Sequence, residues 1–239
     1  MIRIFAQWQD RVILSEDSHH HLVNVLRVQA NEMIELVIDS SVYLAKVRQV
    51  KPLIIDRLEK LNSNHELPFF LTLIYPVSKG ERFDWVVQKA TELGVYELIP
   101  CSSERTVVVW QPEDLPKKFS RYQKMIDEAT LQSKREKRMT MNRYMTLSQA
   151  LTLSFDHQLI ASEYHLQDPS SKLNLPSIAK GNHVAIVVGP EGGFSEKEIE
   201  FAISLQYQPL SLGPSILRTE TAVTVALAML RDKGMNHGQ

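Results

Sequence analysis

Two short stretches, each a glycine-bearing turn set between an apolar run and a helix-like pattern, hold the residue types on which chemistry can be built. The first is Ala185-Ile186-Val187-Val188-Gly189-Pro190-Glu191-Gly192-Gly193-Phe194-Ser195-Glu196-Lys197-Glu198. Its glycines permit backbone conformations closed to other residues and let a ligand approach main-chain atoms, while Ser195 and Glu198 have the spacing of a capping box that starts a helix. No Gly-Lys-Ser/Thr follows and no fingerprint of three spaced glycines is present, so a phosphate or dinucleotide loop is disfavoured. Glu191 would also repel phosphate. A tight strand-to-helix turn with no ligand is the competing reading.

The second stretch lies about twenty residues on: Leu210-Ser211-Leu212-Gly213-Pro214-Ser215-Ile216-Leu217-Arg218-Thr219-Glu220-Thr221-Ala222. It leads into a helical pattern with Ala222, Val225, Ala226 and Met229 on one face, which Thr219 or Thr221 can cap. Arg218 and Glu220 then stand beside free helix N–H groups, as a catalytic pair or as a surface ion pair. His19-His20-His21 is the one histidine run, and it lacks the downstream cysteines or His-x-x-x-His partner of a metal site.

The elements that must position these residues differ in texture along the chain. Residues 33–38, 42–50 and 53–58 are short, rich in β-branched residues and roughly alternating, as in the strands of a small barrel. Leu61 to Pro68 is polar and proline-bearing, a linker. Beyond it, apolar strands at 69–75, 158–161 and 183–189 alternate with amphipathic helices, the pattern of a parallel α/β sheet. The helix predicted over 82–93 places Phe83, Val86, Ala90 and Leu93 on one stripe, with Gly94 where a left-handed cap belongs. A second, over 117–135, puts Phe119, Tyr122, Ile126 and Ala129 on one face and carries Gln132 and Ser133 inward, either to cap backbone or to face a cleft.

Composition bounds the rest. A chain of 239 residues, 44% hydrophobic and 23% charged, buries a core without disulfides or a structural metal. The single Cys101 suits a reducing cytoplasm and reads as a buried, inert thiol. The first residues lack the basic-then-apolar pattern of a signal peptide, and no run approaches the roughly 20 apolar residues of a membrane span. A net charge of −1 excludes a globally basic coat, so nucleic acid would be met by local patches.

Taken together, Gly-Pro-Glu-Gly-Gly at 189–193, Leu-Gly at 212–213, Ile-Leu-Arg-Thr-Glu-Thr-Ala at 216–222 and Gln88-Lys89-Ala90-Thr91-Glu92-Leu93-Gly94-Val95 closely resemble the RsmE family. These are uridine-N3 methyltransferases of 16S ribosomal RNA within the SPOUT class. Ser103-Glu104-Arg105, His20-His21-Leu22 and Val25-Leu26-Arg27 extend the resemblance over nearly the whole chain. The family usually reads Glu-Gln-Ser/Cys-Gly-Arg where this chain has Leu131-Gln132-Ser133-Lys134-Arg135, and Val-Pro where it has Arg138-Met139.

The resemblance implies an α/β fold with two parts: a small N-terminal PUA-like β-barrel over 1–67 that binds RNA, and a trefoil-knotted SPOUT domain over 68–239, mostly parallel sheet with flanking helices. It implies S-adenosyl-L-methionine as cofactor, 16S ribosomal RNA of the small subunit as substrate, a homodimer, a cytoplasmic location, and neither metal nor membrane. The cofactor is expected against Ala161 and Ser162, the loop Gly189, Pro190, Glu191, Gly192 and Gly193, and the turn Leu212, Gly213, Ile216, Leu217, Arg218 and Thr221. Arg218 is expected to stabilise the uridine anion, with Glu220 or Glu191 positioning it or taking the N3 proton. RNA is expected to meet Arg3, His21, Arg27, Gln132, Ser133 and Arg135, within a basic cluster that adds Lys134, Lys137, Arg138 and Arg143. A ribose 2′-O-methyltransferase of the same class and a non-catalytic RNA-binding assembly protein are the alternatives.

Overall fold

The structure is a computed structural model that describes residues 1–161 and 175–236. By contact density it divides into two compact units, 1–66 with 130–137, and 67–129 with 138–239.

In the N-terminal unit, β1 (Ile2–Phe5), β4 (Met33–Ile38), β5 (Ser41–Val50) and β6 (Leu53–Lys60) form a four-stranded sheet in that order. β1 runs parallel to β4 and the remaining pairs are antiparallel. β2 (Gln7–Gln9) and β3 (Arg11–Ile13) make a separate hairpin, and the sheet does not close into a barrel. Ile4, Ile34, Leu36, Ala45 and Val47 alternate inward onto Leu22 and Val28. Leu22 sits in a single π-helical turn, His21–Val25, that follows α1 (Glu16–His20). The segment 130–137 is tied into this unit: Lys134 donates to Glu35 at 3.0 Å and Arg135 to Glu66 at 2.8 Å, while Arg3, paired with Glu35 at 2.6 Å, donates to the Lys134 carbonyl.

The second unit holds a sheet of seven parallel strands. The path runs β10 (Met145–Thr146), β8 (Glu97–Ser102), β7 (Phe70–Pro76), β12 (His183–Val188), β11 (His157–Ala161), β13 (Gln208–Leu210), with β9 (Thr140–Met141) also on β8. Alternation on the strands serves two apolar layers. Leu71, Leu73, Val184 and Ile186 face one layer with α2 (Glu81–Glu92) and α6 (Thr219–Asn236). Ile74, Ile99, Ala185 and Val187 face the other, with α4 (Leu147–Leu151) and α5 (Glu196–Ser204).

α2 forms because its apolar residues recur at helical spacing: Phe83, Val86, Val87 and Ala90 are buried, the larger three contributing roughly 1.5–3 kcal/mol each. It ends at Gly94, whose φ of +96° only glycine adopts without strain. α3 (Leu115–Gln132) stops earlier than its stripe predicts, and Gln132 is exposed rather than turned inward. The following backbone turns through Lys134 at φ +62°, so the stripe cannot continue. Cys101, on β8, faces the apolar layer of α4 and α5, where burial pushes its thiol well above the usual value.

Candidate active site

The chain leaves two adjacent strands in opposite directions. β7 runs on to β8 on one side, whereas β12 runs on to β13 beyond β11, so a crevice opens at the C-terminal ends of β7 and β12. A cavity of about 790 Å³ opens beside it, at the end of β12 and of β11 and β13 beyond it. Its floor is the ends of β11, β12 and β13 at Ala161, Val188 and Leu210, and its walls are the two glycine-bearing turns.

Those turns have the local structure their residues dictate. Ser195 caps α5 reciprocally with Glu198, the Glu198 amide donating to Ser195 Oγ at 3.2 Å and the Ser195 amide to Glu198 Oε2 at 2.9 Å. Gly193, at φ +67°, closes the preceding turn by donating to the Pro190 carbonyl at 2.9 Å. Gly189 lies so close to the Phe194 ring that a Cβ there would meet it at 3.2 Å. Gly213, at φ +113°, bends the second turn into the cavity.

Three side chains from three elements hold the first loop. Arg82, in the first turn of α2, meets Glu191 Oε1 at 2.7 Å; Arg105, after β8, donates to the Gly192 carbonyl at 2.9 Å; and Thr219, opening α6, donates to the Gly189 carbonyl at 2.5 Å. Of the two threonines able to cap α6, Thr219 or Thr221, Thr219 turns its hydroxyl to the Gly189 carbonyl and so ties the second turn to the first. Behind them the Tyr75 hydroxyl is buried beside Thr219 and Ser78 without a hydrogen bond of normal geometry. Burial raises its pKa, Thr219 and Ser78 oppose that, and the charges of Glu191 and Glu220 add to it.

Of the residues singled out from the sequence, the structure brings Ala161, Gly189, Pro190, Glu191, Gly192, Gly193, Leu212, Gly213, Ile216, Leu217, Arg218 and Glu220 to this one cavity. Thr221 is exposed on α6 and is not part of the lining, and Ser162 lies outside the described residues. Among the described residues neither the Arg218 guanidinium nor the Glu220 carboxylate has an ion-pair partner, whereas Glu191 is held by Arg82. Arg82 had no signal in the sequence, and Arg105 only its place in a motif; each stands far along the chain from the loop it grips.

The residues expected to meet RNA are placed unevenly. His21 and Arg27 are exposed, Arg27 at φ +53°, and Gln132 is exposed at the end of α3. Ser133 Oγ donates to the Thr130 carbonyl. Arg3 and Arg135 are corrected: their side chains are 4% and 3% exposed and their charges are neutralised by Glu35 and Glu66, so neither is offered to a phosphate. Among the described residues no helix is long and apolar enough to cross a membrane, and no cluster of three His, Cys, Asp or Glu side chains could hold a metal ion.

The model of the RNA methyltransferase domain family matches residues 65–231. The small-subunit ribosomal RNA methyltransferase E of Bacillus subtilis is 34% identical over 224 residues, covering 88% of this chain and 86% of that one; the same enzyme of Synechocystis is 31% identical, covering 92% and 72%. Among solved structures, a Legionella pneumophila methyltransferase with bound SAM superposes with a TM-score of 0.86 at 31% identity over 97% of each chain. Methyltransferase E of Neisseria gonorrhoeae bound to S-adenosyl methionine does so with a TM-score of 0.84 at 28% identity, again over 97% of each chain.

Proposed function

The chain belongs to the RNA methyltransferase family and has its SPOUT-like fold, and from that membership we propose that it methylates N3 of a uridine in 16S ribosomal RNA with S-adenosylmethionine. One observation carries the reading: two glycine turns separated in sequence line a single cavity at the C-terminal ends of a parallel sheet, with three arginines and three glutamates in its lining.

The residues present fit the cofactor. The cavity volume falls in the range of about 300–1,000 Å³ common for small-molecule sites. Leu212 and Leu217 offer an apolar wall for a flat heterocycle, the glycine turns offer main-chain atoms, and Glu191 and Glu220 offer negative charge to a cationic ligand. When bound, S-adenosylmethionine supplies a methyl group on a positively charged sulfur.

The chain's own task is to prepare the uridine. N3 carries a proton at neutral pH, and its removal spreads negative charge onto the flanking carbonyl oxygens. Arg218, exposed at the cavity and free of a carboxylate partner among the described residues, places positive charge where that anion develops. Glu220, likewise without an ion-pair partner there, accepts the proton, while Glu191 is engaged by Arg82.

The finer architecture is part of the same proposal. The N-terminal unit is a PUA-like RNA-binding module over 1–67, the second a trefoil-knotted catalytic domain over 68–239, and the working form is a cytoplasmic homodimer acting on the small ribosomal subunit. On the RNA side His21, Arg27, Gln132 and Ser133 meet the substrate, while Arg3 and Arg135 shape the segment 130–137 that carries Gln132.

The test uses small subunits from a strain lacking the modification, incubated with methyl-labelled cofactor and digested to nucleosides. Label on N3-methyluridine is expected. Label on a ribose 2′-oxygen would transfer the chain to the neighbouring chemistry, and absence of both label and cofactor binding would make it a non-catalytic binder.

A further inference from the structure

On the N-terminal unit, among residues given no role above, an exposed tryptophan is stacked with a half-buried arginine and a half-buried tyrosine. Trp8 is the middle residue of β2, every residue of which is exposed, and is itself 42% exposed. The Arg57 guanidinium, from β6, lies 3.7 Å from the Trp8 ring centroid and 4.9 Å from that of Tyr43, on β5. The rings hold the plane of the guanidinium, yet among the described residues none of its N–H groups has a hydrogen-bond acceptor. That distinguishes it from Arg3, Arg48 and Arg135 in the same unit, each bonded to a carboxylate.

We propose that Trp8 and Arg57, backed by Tyr43, form a stacking site for one nucleotide of single-stranded RNA. The proposal rests on the reading of the chain as an RNA methyltransferase and adds a substrate contact to it. A solvent-facing indole backed by a cation is a surface on which any nucleobase can stack, because every base has a π face. A guanidinium has five N–H donors in a fixed fork that matches phosphate oxygens, and none here is taken by protein. Base on the ring and phosphate on the arginine edge are the two ends of one nucleotide. Double-stranded RNA hides its base faces, so the ligand is a single strand or a splayed loop. The positive charge complements that ligand, and the site selects unpaired RNA rather than a particular base.

The experiment measures binding of a fluorescein-labelled single-stranded RNA oligonucleotide to the full chain by anisotropy, and the KM and kcat for methylation of small subunits lacking the modification. Trp8→Ala weakens oligonucleotide binding about 5- to 150-fold, the effect of losing one base stack, Arg57→Gln weakens it by losing the phosphate contact, and both raise KM with kcat retained. Trp8→Phe, which keeps a ring, stays within a few-fold of wild type. Arg57→Gln leaves every buried residue in place, so it answers the question even where Trp8→Ala lowers stability. Wild-type affinity in folded Trp8→Ala or Arg57→Gln overturns the site, as does a wild-type chain with no affinity for the oligonucleotide, or one that prefers an acidic peptide of equal length. Failure of the methyltransferase reading shows separately, as a wild-type chain that does not bind S-adenosylmethionine in calorimetry.

Discussion

The guanidinium of Arg82 and the carboxylate of Glu191 meet at 2.7 Å at the cavity lining, joining the first turn of α2 to the loop after β12. The Arg105 hydrogen bond to the Gly192 carbonyl grips the next residue of that loop. Two arginines that begin on other elements thus hold consecutive residues of a segment whose glycines otherwise leave it free to move.

The pair's contribution should appear in cofactor binding rather than in stability. Both side chains are well exposed, so water screens their attraction and either Arg82→Ala or Glu191→Gln leaves the unfolding midpoint nearly unchanged. What each removes is the restraint on the loop, and S-adenosylmethionine affinity falls a few-fold in either variant. In the double variant the losses do not add, since the second change removes nothing further. Calorimetric titration of the four proteins measures this, and additive losses would mean that the two side chains act independently.

Thr219→Val should damage both fold and site. The hydroxyl is buried and donates to the Gly189 carbonyl, so a valine of the same shape leaves that carbonyl without its partner. The expected loss is about 1–3 kcal/mol in urea unfolding, together with weaker cofactor binding, because the two turns lose their tie. Thr219→Ser keeps the donor and should restore most of both. A valine variant with full stability and full affinity would show the bond to be incidental.

The acid side of the stability curve should report on the N-terminal unit. Burial alone would raise the pKa of Glu35, but hydrogen bonds and charge from Arg3 and Lys134 outweigh it and hold the group below its ordinary value. Glu136 is likewise held low by Ser63 and His65 against the effect of burial. A depressed carboxylate contributes stability above its unfolded value of about 4.3 and loses it as pH falls through the folded-state pKa. Stability of this unit should therefore be level near neutrality and drop below about pH 4.5. Glu35→Gln removes part of that drop while lowering stability at pH 7 by about 2–4 kcal/mol, since Arg3 is left buried without its carboxylate. Urea titrations across pH, followed by circular dichroism, test the sign; an unchanged acid limb in Glu35→Gln would locate the titration elsewhere.

What could be read from the sequence divides by distance along the chain. The capping box of Ser195 and Glu198, the stripe of α2 and its stop at Gly94 are local patterns, and each folds as its residues imply. The strands Met33–Ile38, Ser41–Val50 and Leu53–Lys60 stand close to the expected 33–38, 42–50 and 53–58, because alternation follows directly from the pleat. Nothing local announces that Arg82 reaches Glu191, or that Arg105 reaches Gly192, since both contacts are made only when parallel strands place distant loops side by side. Charge is hard to read for the same reason. Arg3 and Arg135 look like phosphate contacts in a string of letters, and only the fold supplies the carboxylates that neutralise them. Arg57 passes unremarked in that string and emerges with its donors open.

Arg218 is the side chain on which turnover should depend most. It is exposed at the cavity, one residue ahead of α6, and no described residue pairs with its charge. A cation held there has no stabilising role for the fold to lose, so Arg218→Ala should unfold at the wild-type urea concentration. Its worth lies in the state where the uridine has given up the N3 proton, and removing a preorganised charge of this kind costs roughly 100- to 1,000-fold in kcat. Lysine at this position keeps the charge but not the fork of donors, and should recover only part of the rate. With Glu220 as the proton acceptor, Glu220→Gln lowers kcat as well. Single-turnover methylation of unmodified small subunits at saturating cofactor separates this loss from weaker binding. An Arg218→Ala enzyme that methylates at near-normal rate would move the anion-stabilising charge to Arg82 or Arg105, the other arginines that line the cavity.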